Sequence, residues 1–287
     1  MPPLRLALSL LFASLLSWHS LAEPFVFTAI PDEDETRLKA RFDRVAVYLA
    51  ERLKVEVEYI PVKSYPAAVS AFRNDQVQLA WFGGLTGVQA RRLVPGARVI
   101  AQGAEDPRFK SYLIAHVSTG LEPAQTLPNA IRGMSLTFGS KSSTSGRLMP
   151  EYYLRQRFGE APETLFSRVG FSANHSRTIA LVQAGAYQLG TLNYAVWDEE
   201  LAQGNIDPDK VRVIWTTPPY PDYQWTLRGD VDARWGAGFA ARVRQALLDM
   251  DDPELLAAFP RSAFIPASNA DFEAIAETAR AIGLMDE

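Results

Sequence analysis

From Phe138 to Gly146 the chain reads Phe-Gly-Ser-Lys-Ser-Ser-Thr-Ser-Gly, with five hydroxyl side chains between two glycines. The alternating run Met134 to Phe138 suits a strand, and a helical pattern follows from Gly146 to Phe158. Where a strand feeds a helix in this way, the first helical N–H groups lack internal partners and sit at the positive end of the peptide dipoles. An oxyanion placed at Ser143, Thr144 and Ser145 would therefore meet several donors at once. Pro150 fits near the start of that helix. The segment is not a nucleotide P-loop, because Lys141 precedes the hydroxyl run and the G-x-x-x-x-G-K-[ST] order is missing. An ordinary helix N-cap is the plainer reading, but one hydroxyl would satisfy it and Ser142 to Ser145 supply four in succession.

A second group, His175-Ser176-Arg177-Thr178, opens another helical stretch and could bring an imidazole and a guanidinium to the same cleft. Taken alone the signal is weak, since a lone histidine or arginine at a helix start is more often a surface cap or a salt-bridge partner. Aromatic residues gather at expected strand ends and loops: Tyr65, Trp81, Phe82, Tyr194, Trp197, Tyr220, Tyr223 and Trp225. Tyrosine and tryptophan combine a rigid apolar body with one polar tip, which suits closure over a small ligand. Phe82, Trp197 and Trp225 read as core, whereas Tyr65 and Tyr223 have proline neighbours that imply exposed turns.

Catalysis finds little support. The G-x-S-x-G elbow is missing, and no acid is evidently paired with His175. Asp32, Glu33 and Asp34 could suggest a metal or a carboxylate pair, but an exposed acidic helix start explains them better. With no cysteine and three histidines, thiolate chemistry, disulfides and iron-sulfur clusters are excluded, and neither metal nor cofactor is expected.

The elements that must position these residues alternate between short strand-like runs and helical periods, the mark of an α/β chain with largely parallel sheets. Strands are expected at 25–30, 55–59, 77–82, 98–101, 111–117, 134–138, 187–192, 211–215 and 224–227. Leu38, Phe42, Val45, Leu49 and Leu53 recur at helical spacing. Further helices are expected near 66–73, 146–158, 176–184, 195–203, 239–248, 253–259 and 271–282, with no strand after Asp232. No low-complexity linker separates two halves, so strands would have to join them, and 111–117 and 224–227 are the expected crossings.

The 287 residues provide for two modest lobes. Twenty-nine basic against 33 acidic side chains give a net charge of −4, too negative for sequence-independent nucleic-acid binding. Residues 1–22 carry one charge, Arg5, an apolar run from Leu6 to Leu16, and the small residues Ser20 and Ala22 at the end. That pattern reads as a cleaved export signal, too short to span a bilayer, which leaves a free periplasmic protein beginning near Glu23.

The Ser-Thr-Ser-Gly turn at 143–146 with Pro150 behind it, the His175 helix start and Gln183-Ala184-Gly185 resemble the solute-binding proteins of phosphonate and phosphite ABC transporters. The stretches PDEDETRLKARFD, FRNDQVQLAWFGG, GSKSSTSGRLMP, HSRTIALVQAGAYQLG, NYAVWD and PPYPDYQW are most similar to the subgroup named for selenate binding. The resemblance implies a type II periplasmic-binding-protein fold, with two α/β lobes closing on a ligand in the cleft between them. Residues 23–110 and 224–287 would form lobe 1, and 111–223 lobe 2.

The same resemblance implies that Ser143, Thr144 and Ser145 hold a tetrahedral oxyanion, with Tyr65, Trp81 and His175 beside it. Arg177 would suit a dianion, and Tyr194 and Tyr223 complete the expected ligand-binding set. Gln188 stands where aminoalkyl phosphonate binders often carry an aspartate, which favours a small oxyanion without an ammonium tail. The expected function is capture of a selenate-like oxyanion, as a monomer without enzymatic activity, for delivery to an inner-membrane ABC permease. The alternatives are a phosphonate or phosphite binder, or a ligand-sensing subunit of a signalling receptor.

Overall fold

The structure, a computed structural model, describes residues 23–286; the expected export signal at 1–22 lies outside the described residues. In chain order the first third runs β1 (Phe25–Ala29), α1 (Glu35–Leu53), β2 (Val57–Tyr59), α2 (Tyr65–Arg73), β3 (Leu79–Phe82), α3 (Gly84–Leu93) and β4 (Arg98–Gly103). The middle runs β5 (Ser111–His116), β6 (Ser135–Phe138), α4 (Met149–Phe158), α5 (Pro162–Leu165), β7 (Arg168–Phe171), α6 (His175–Gln183), β8 (Leu189–Asn193), α7 (Tyr194–Ala202) and β9 (Val211–Thr216). The last part holds β10 (Gln224–Leu227), α8 (Val231–Trp235), α9 (Phe239–Leu248), α10 (Pro253–Leu256), β11 (Phe264–Pro266) and α11 (Glu273–Ala281).

Local rules account for the major helices. In α1, Asp34 caps the N-terminus by accepting from the N–H groups of Thr36 and Arg37, and the apolar positions at helical spacing are all buried. The helix stops at Lys54, whose left-handed backbone ends the ladder.

Two sheets result, ordered β11-β4-β10-β3-β1-β2 and β7-β6-β8-β5-β9. Their centres are parallel, as β2-β1-β3 and β7-β6-β8. The flanks are not: β10 runs antiparallel to β3 and β4, and β5 antiparallel to β8 and β9. The expectation of largely parallel sheets therefore holds only for these central ladders. An aromatic-rich core around Trp225, Phe27, Phe42 and Phe82 serves the first sheet. The second sheet is covered on both faces, Leu113 and Ala115 packing into one core and Ile114 into the other, as strand alternation requires.

The chain passes from the first sheet to the second between β4 and β5, and returns between β9 and β10. These two segments pair antiparallel at Phe109 and Tyr220, through N–H···O bonds of 2.9 and 3.0 Å. The N–H of Asp222 also donates to the carbonyl of Asp106 at 3.1 Å. The crossings thus lie just before the runs expected to make them, because β5 and β10 are spent on sheet pairing. The short strands β7 and β11 and the helix α3 were not expected. β7 is an edge strand with no clean alternation, and β11 is three residues long and ends in proline, so neither carries a strand signature.

Candidate functional site

Several helix N-termini converge at the carboxyl ends of the parallel strands. Helix α2 starts after β2 with Ser64 as cap, α3 starts after β3 at Gly83, and α6 and α7 follow β7 and β8 with Asn174 and Asn193 as caps. After β6 a π-helical turn, Thr144–Leu148, leads directly into α4. Its cap is Ser143, whose Oγ accepts from the Gly146 N–H at 2.9 Å. The plain capping role is thus filled by one hydroxyl, which leaves Thr144 and Ser145, both buried, for other partners. In α/β folds this edge is where ligands are held.

Groups from the two sheets meet here. The Tyr65 hydroxyl lies 3.4 Å from Nε2 of His175, and the Leu85 N–H donates to Oγ1 of Thr144 at 3.0 Å. Asp222, from the returning crossing, accepts from the Gly84 N–H at 2.8 Å through Oδ1, while its Oδ2 is buried with no partner in the protein. Ser145 is tied to the start of β5 through its carbonyl, which accepts from Ser111 Oγ at 2.7 Å. Gly146 keeps this corner tight: a Cβ there would stand 3.1 Å from the Gly139 Cα and 3.2 Å from Cε1 of His175.

Burial sets the protonation states. Desolvation drops His175 to about 3, so its imidazole is neutral. The Asn193 N–H can only donate, and at 3.4 Å it faces Nδ1, which places the ring proton on Nε2, toward Tyr65. Desolvation pushes Asp222 up to about 7, although the Gly84 N–H and the Thr144 hydroxyl pull it back. The Tyr65 hydroxyl is also driven far up by burial and remains a donor. Behind this layer, the Tyr223 hydroxyl accepts from Asn193 Nδ2 at 3.0 Å and donates to Asp32 at 2.7 Å. The site is therefore a buried cluster of neutral donors with one carboxyl poised near neutrality.

Of the residues expected from sequence, Tyr65, Ser143, Thr144 and His175 come together, and Ser145 adjoins them. Tyr223 stands one layer back. Trp81 stacks on Tyr223 with ring centroids 5.4 Å apart and is packed among Trp225, Phe259 and Phe264, so its surroundings are core. Tyr194 is half-buried, edge-on to Phe109, with no hydrogen bond to the cluster among the described residues. Arg177 is exposed, and its N–H is taken by the Asn174 cap.

Other expectations need correcting. Tyr65 and Tyr223 are 1% and 2% exposed, because Pro66 lies in the first turn of α2 and the Tyr223 hydroxyl is spent on Asp32 and Asn193. Asp32 and Glu33 are buried, and Asp34 alone forms the solvent-facing cap. Gln188 bonds Ser135 at the opposite ends of β6 and β8, so its identity says nothing about an ammonium tail.

The sequence reading missed Asp222 and the amides of Gly84 and Leu85. Gly83-Gly84 reads as a strand end but is also a helix start, and Asp222 sits in Tyr-Pro-Asp-Tyr, where a turn is the obvious reading.

Residues 27–272 match the sequence profile of the family described as ABC transporter, phosphonate, periplasmic substrate-binding protein. The chain is 38% identical over 281 residues to the "Probable ABC transporter phosphite binding protein PhnD1" of Prochlorococcus marinus (strain MIT 9301), covering 95% of this chain and 94% of that one. The structure is similar to that of PhnD1 from Prochlorococcus marinus in complex with methylphosphonate, at a TM-score of 0.86 and 37% identity, over 92% and 100% of the two chains. A binding protein component of an ABC phosphonate transporter from Pseudomonas aeruginosa shares the fold, at a TM-score of 0.77 and 21% identity over 89% and 85%.

Proposed function

The chain belongs to the family of periplasmic substrate-binding proteins of phosphonate ABC transporters, and on that premise we propose that it captures phosphite or a small phosphonate for its permease. Members of this family bind and deliver; they are not enzymes. Selenate, expected from the sequence strings, is not supported by these relatives, which are named for phosphite, phosphonate and methylphosphonate.

The observation that carries the choice is Asp222 at the hydroxyl corner. A buried carboxyl at about 7 with one unpartnered oxygen favours a ligand that shares a proton with it. Phosphite and phosphonates titrate near neutrality and can offer a P–OH to Asp222 even when it is ionised, whereas sulfate and selenate carry no proton and would face a bare carboxylate whenever Asp222 has lost its own. The remaining oxygens would accept from Tyr65, Thr144, Ser145, His175 Nε2 and the helix-start N–H groups. Three to five such bonds, each about 1.5–3 kcal/mol net, suffice for micromolar binding at roughly −8 kcal/mol. Lobes formed by 23–110 with 224–287 and by 111–223 are supported by the division of strands between the sheets. Their closure would present the loaded form to the permease.

Calorimetric titration of the chain from Glu23 with phosphite, methylphosphonate, sulfate and selenate tests this reading. Phosphite or methylphosphonate should bind in the micromolar range or tighter, and the other two should be weaker by at least about tenfold. Selenate or sulfate binding as tightly as phosphite would overturn it.

A further inference from the structure

Away from the hydroxyl corner, α1 of the first lobe faces α7 of the second across a continuous set of ion pairs. Arg37 and Arg41, one helical turn apart, present both guanidiniums to that side. Arg37 Nη2 meets Glu200 Oε1 at 2.5 Å, and its Nη1 donates to Gln203 Oε1 at 3.1 Å. Arg41 pairs with Glu199 and, at 3.3 Å, with Glu33. The acceptors are themselves held. Glu200 also accepts from Ser176 Oγ at 3.0 Å and Asn205 Nδ2 at 2.7 Å, and Glu199 from Gln203 Nε2 at 2.9 Å.

These are not loose surface pairs. Arg41 is 15% exposed, Glu199 20% and Glu200 8%, so these three charges are largely withdrawn from water, and Arg37, at 32%, stands at the rim. Parting the lobes would leave Glu199 and Glu200 without their arginines, which is costly for charges so placed. None of the four is hydrogen-bonded to Tyr65, Ser143, Thr144, His175 or Asp222 among the described residues. Their free energy therefore bears on lobe closure rather than on ligand contact.

We propose that Arg37 and Arg41 with Glu199 and Glu200 form an interlobe latch that sets the fraction of closed protein, and so tunes affinity without touching the ligand. A ligand that enters the open cleft and is retained only when the lobes shut binds with an affinity scaled by the closing equilibrium, so weakening the latch lowers affinity through faster release. The proposal rests on the reading of a protein that closes over its ligand, but closure can be followed without any ligand.

The chain has no cysteine, so labels can be placed cleanly at Val47→Cys on α1 and Leu201→Cys on α7, both exposed. Interlobe distances between spin labels are measured in the ligand-free protein and in Glu199→Gln/Glu200→Gln, with Glu200→Gln alone as a milder variant. The latch predicts a shift toward longer distances in either variant, and for methylphosphonate a dissociation rate raised about tenfold with the association rate nearly unchanged. Identical distance distributions in parent and variants would overturn the latch. Failure of methylphosphonate to bind the parent would count against the ligand assignment alone, since the distances report closure independently.

Discussion

The Leu85 N–H, at the start of a first-lobe helix, donates to the hydroxyl of Thr144, at the start of a second-lobe helix, at 3.0 Å. Two helix N-termini from different sheets thus address the same point, and the hydroxyl between them accepts from one lobe while belonging to the other. A small oxyanion placed there would be gripped from both sides, and its binding would be inseparable from bringing the lobes together.

Thr144→Val keeps the shape and removes the hydroxyl. Phosphite or methylphosphonate affinity should fall about tenfold or more, corresponding to roughly 1–3 kcal/mol for the lost polar partner, and the melting temperature should fall by several degrees because the Leu85 N–H loses its acceptor, whereas Thr144→Ser should restore both. Unchanged calorimetric affinity would remove Thr144 from the site.

Affinity should depend on pH through Asp222. Below about 7 its carboxyl is protonated in the free protein, so a dianion can bind without proton uptake. Above that value carboxyl and ligand are both ionised, a proton must be taken up, and affinity should fall by up to about tenfold per pH unit. Asp222→Asn should flatten this profile and narrow the margin over sulfate; titrations from pH 6 to 9 in buffers of differing ionisation enthalpy measure both.

His175→Ala should weaken binding about tenfold or more by removing the Nε2–H donor. In the parent, imidazole ionisation should leave affinity flat between pH 5 and 8, because burial holds the group down at about 3. Its folded value lies below its unfolded one, so the stability linked to the neutral ring is present above about 6.5 and is lost as pH falls toward 3. Acid unfolding of the parent and of His175→Gln, compared by circular dichroism, should show a shallower acid limb in the variant.

Arg261 and Asp106 form a buried ion pair at 2.8 Å, with the guanidinium 5.1 Å from the ring centres of both Phe109 and Tyr223. Arg261→Met strands the Asp106 carboxyl next to the crossings and should cost about 3–5 kcal/mol in urea denaturation. Arg261→Met/Asp106→Asn should recover a large part of that loss, since the uncompensated charge is then gone.

Much of this molecule was readable before any coordinates. The five apolar positions of α1 recur at a helical period and all face the core, and the hydroxyl corner announced its strand-to-helix turn through composition alone. What escaped were features created by tertiary approach. Tyr65 and Tyr223 look exposed beside their prolines until two sheets fold over them, and Asp222 is an ordinary turn residue until its carboxyl meets the N-terminus of α3. Arg177 failed in the opposite sense: it occupies a helix start as a ligand-binding arginine would, but local capping leaves it facing solvent.

The paired segments at Phe109 and Tyr220 have a kinetic meaning. Asp222 lies two residues beyond that bridge and is tied by its own N–H to Asp106 on the neighbouring segment, while its Oδ1 accepts from the Gly84 N–H, so it is anchored both to the crossings and to the start of α3. A carboxyl fastened in this way would travel with the first sheet, and parting the lobes would carry the second sheet's hydroxyl corner away from it. On the proposed reading, an arriving anion would meet the proton-sensing carboxyl before the hydroxyls swing over it, and the wrong guest would be turned away at the door instead of having to be expelled from a sealed room.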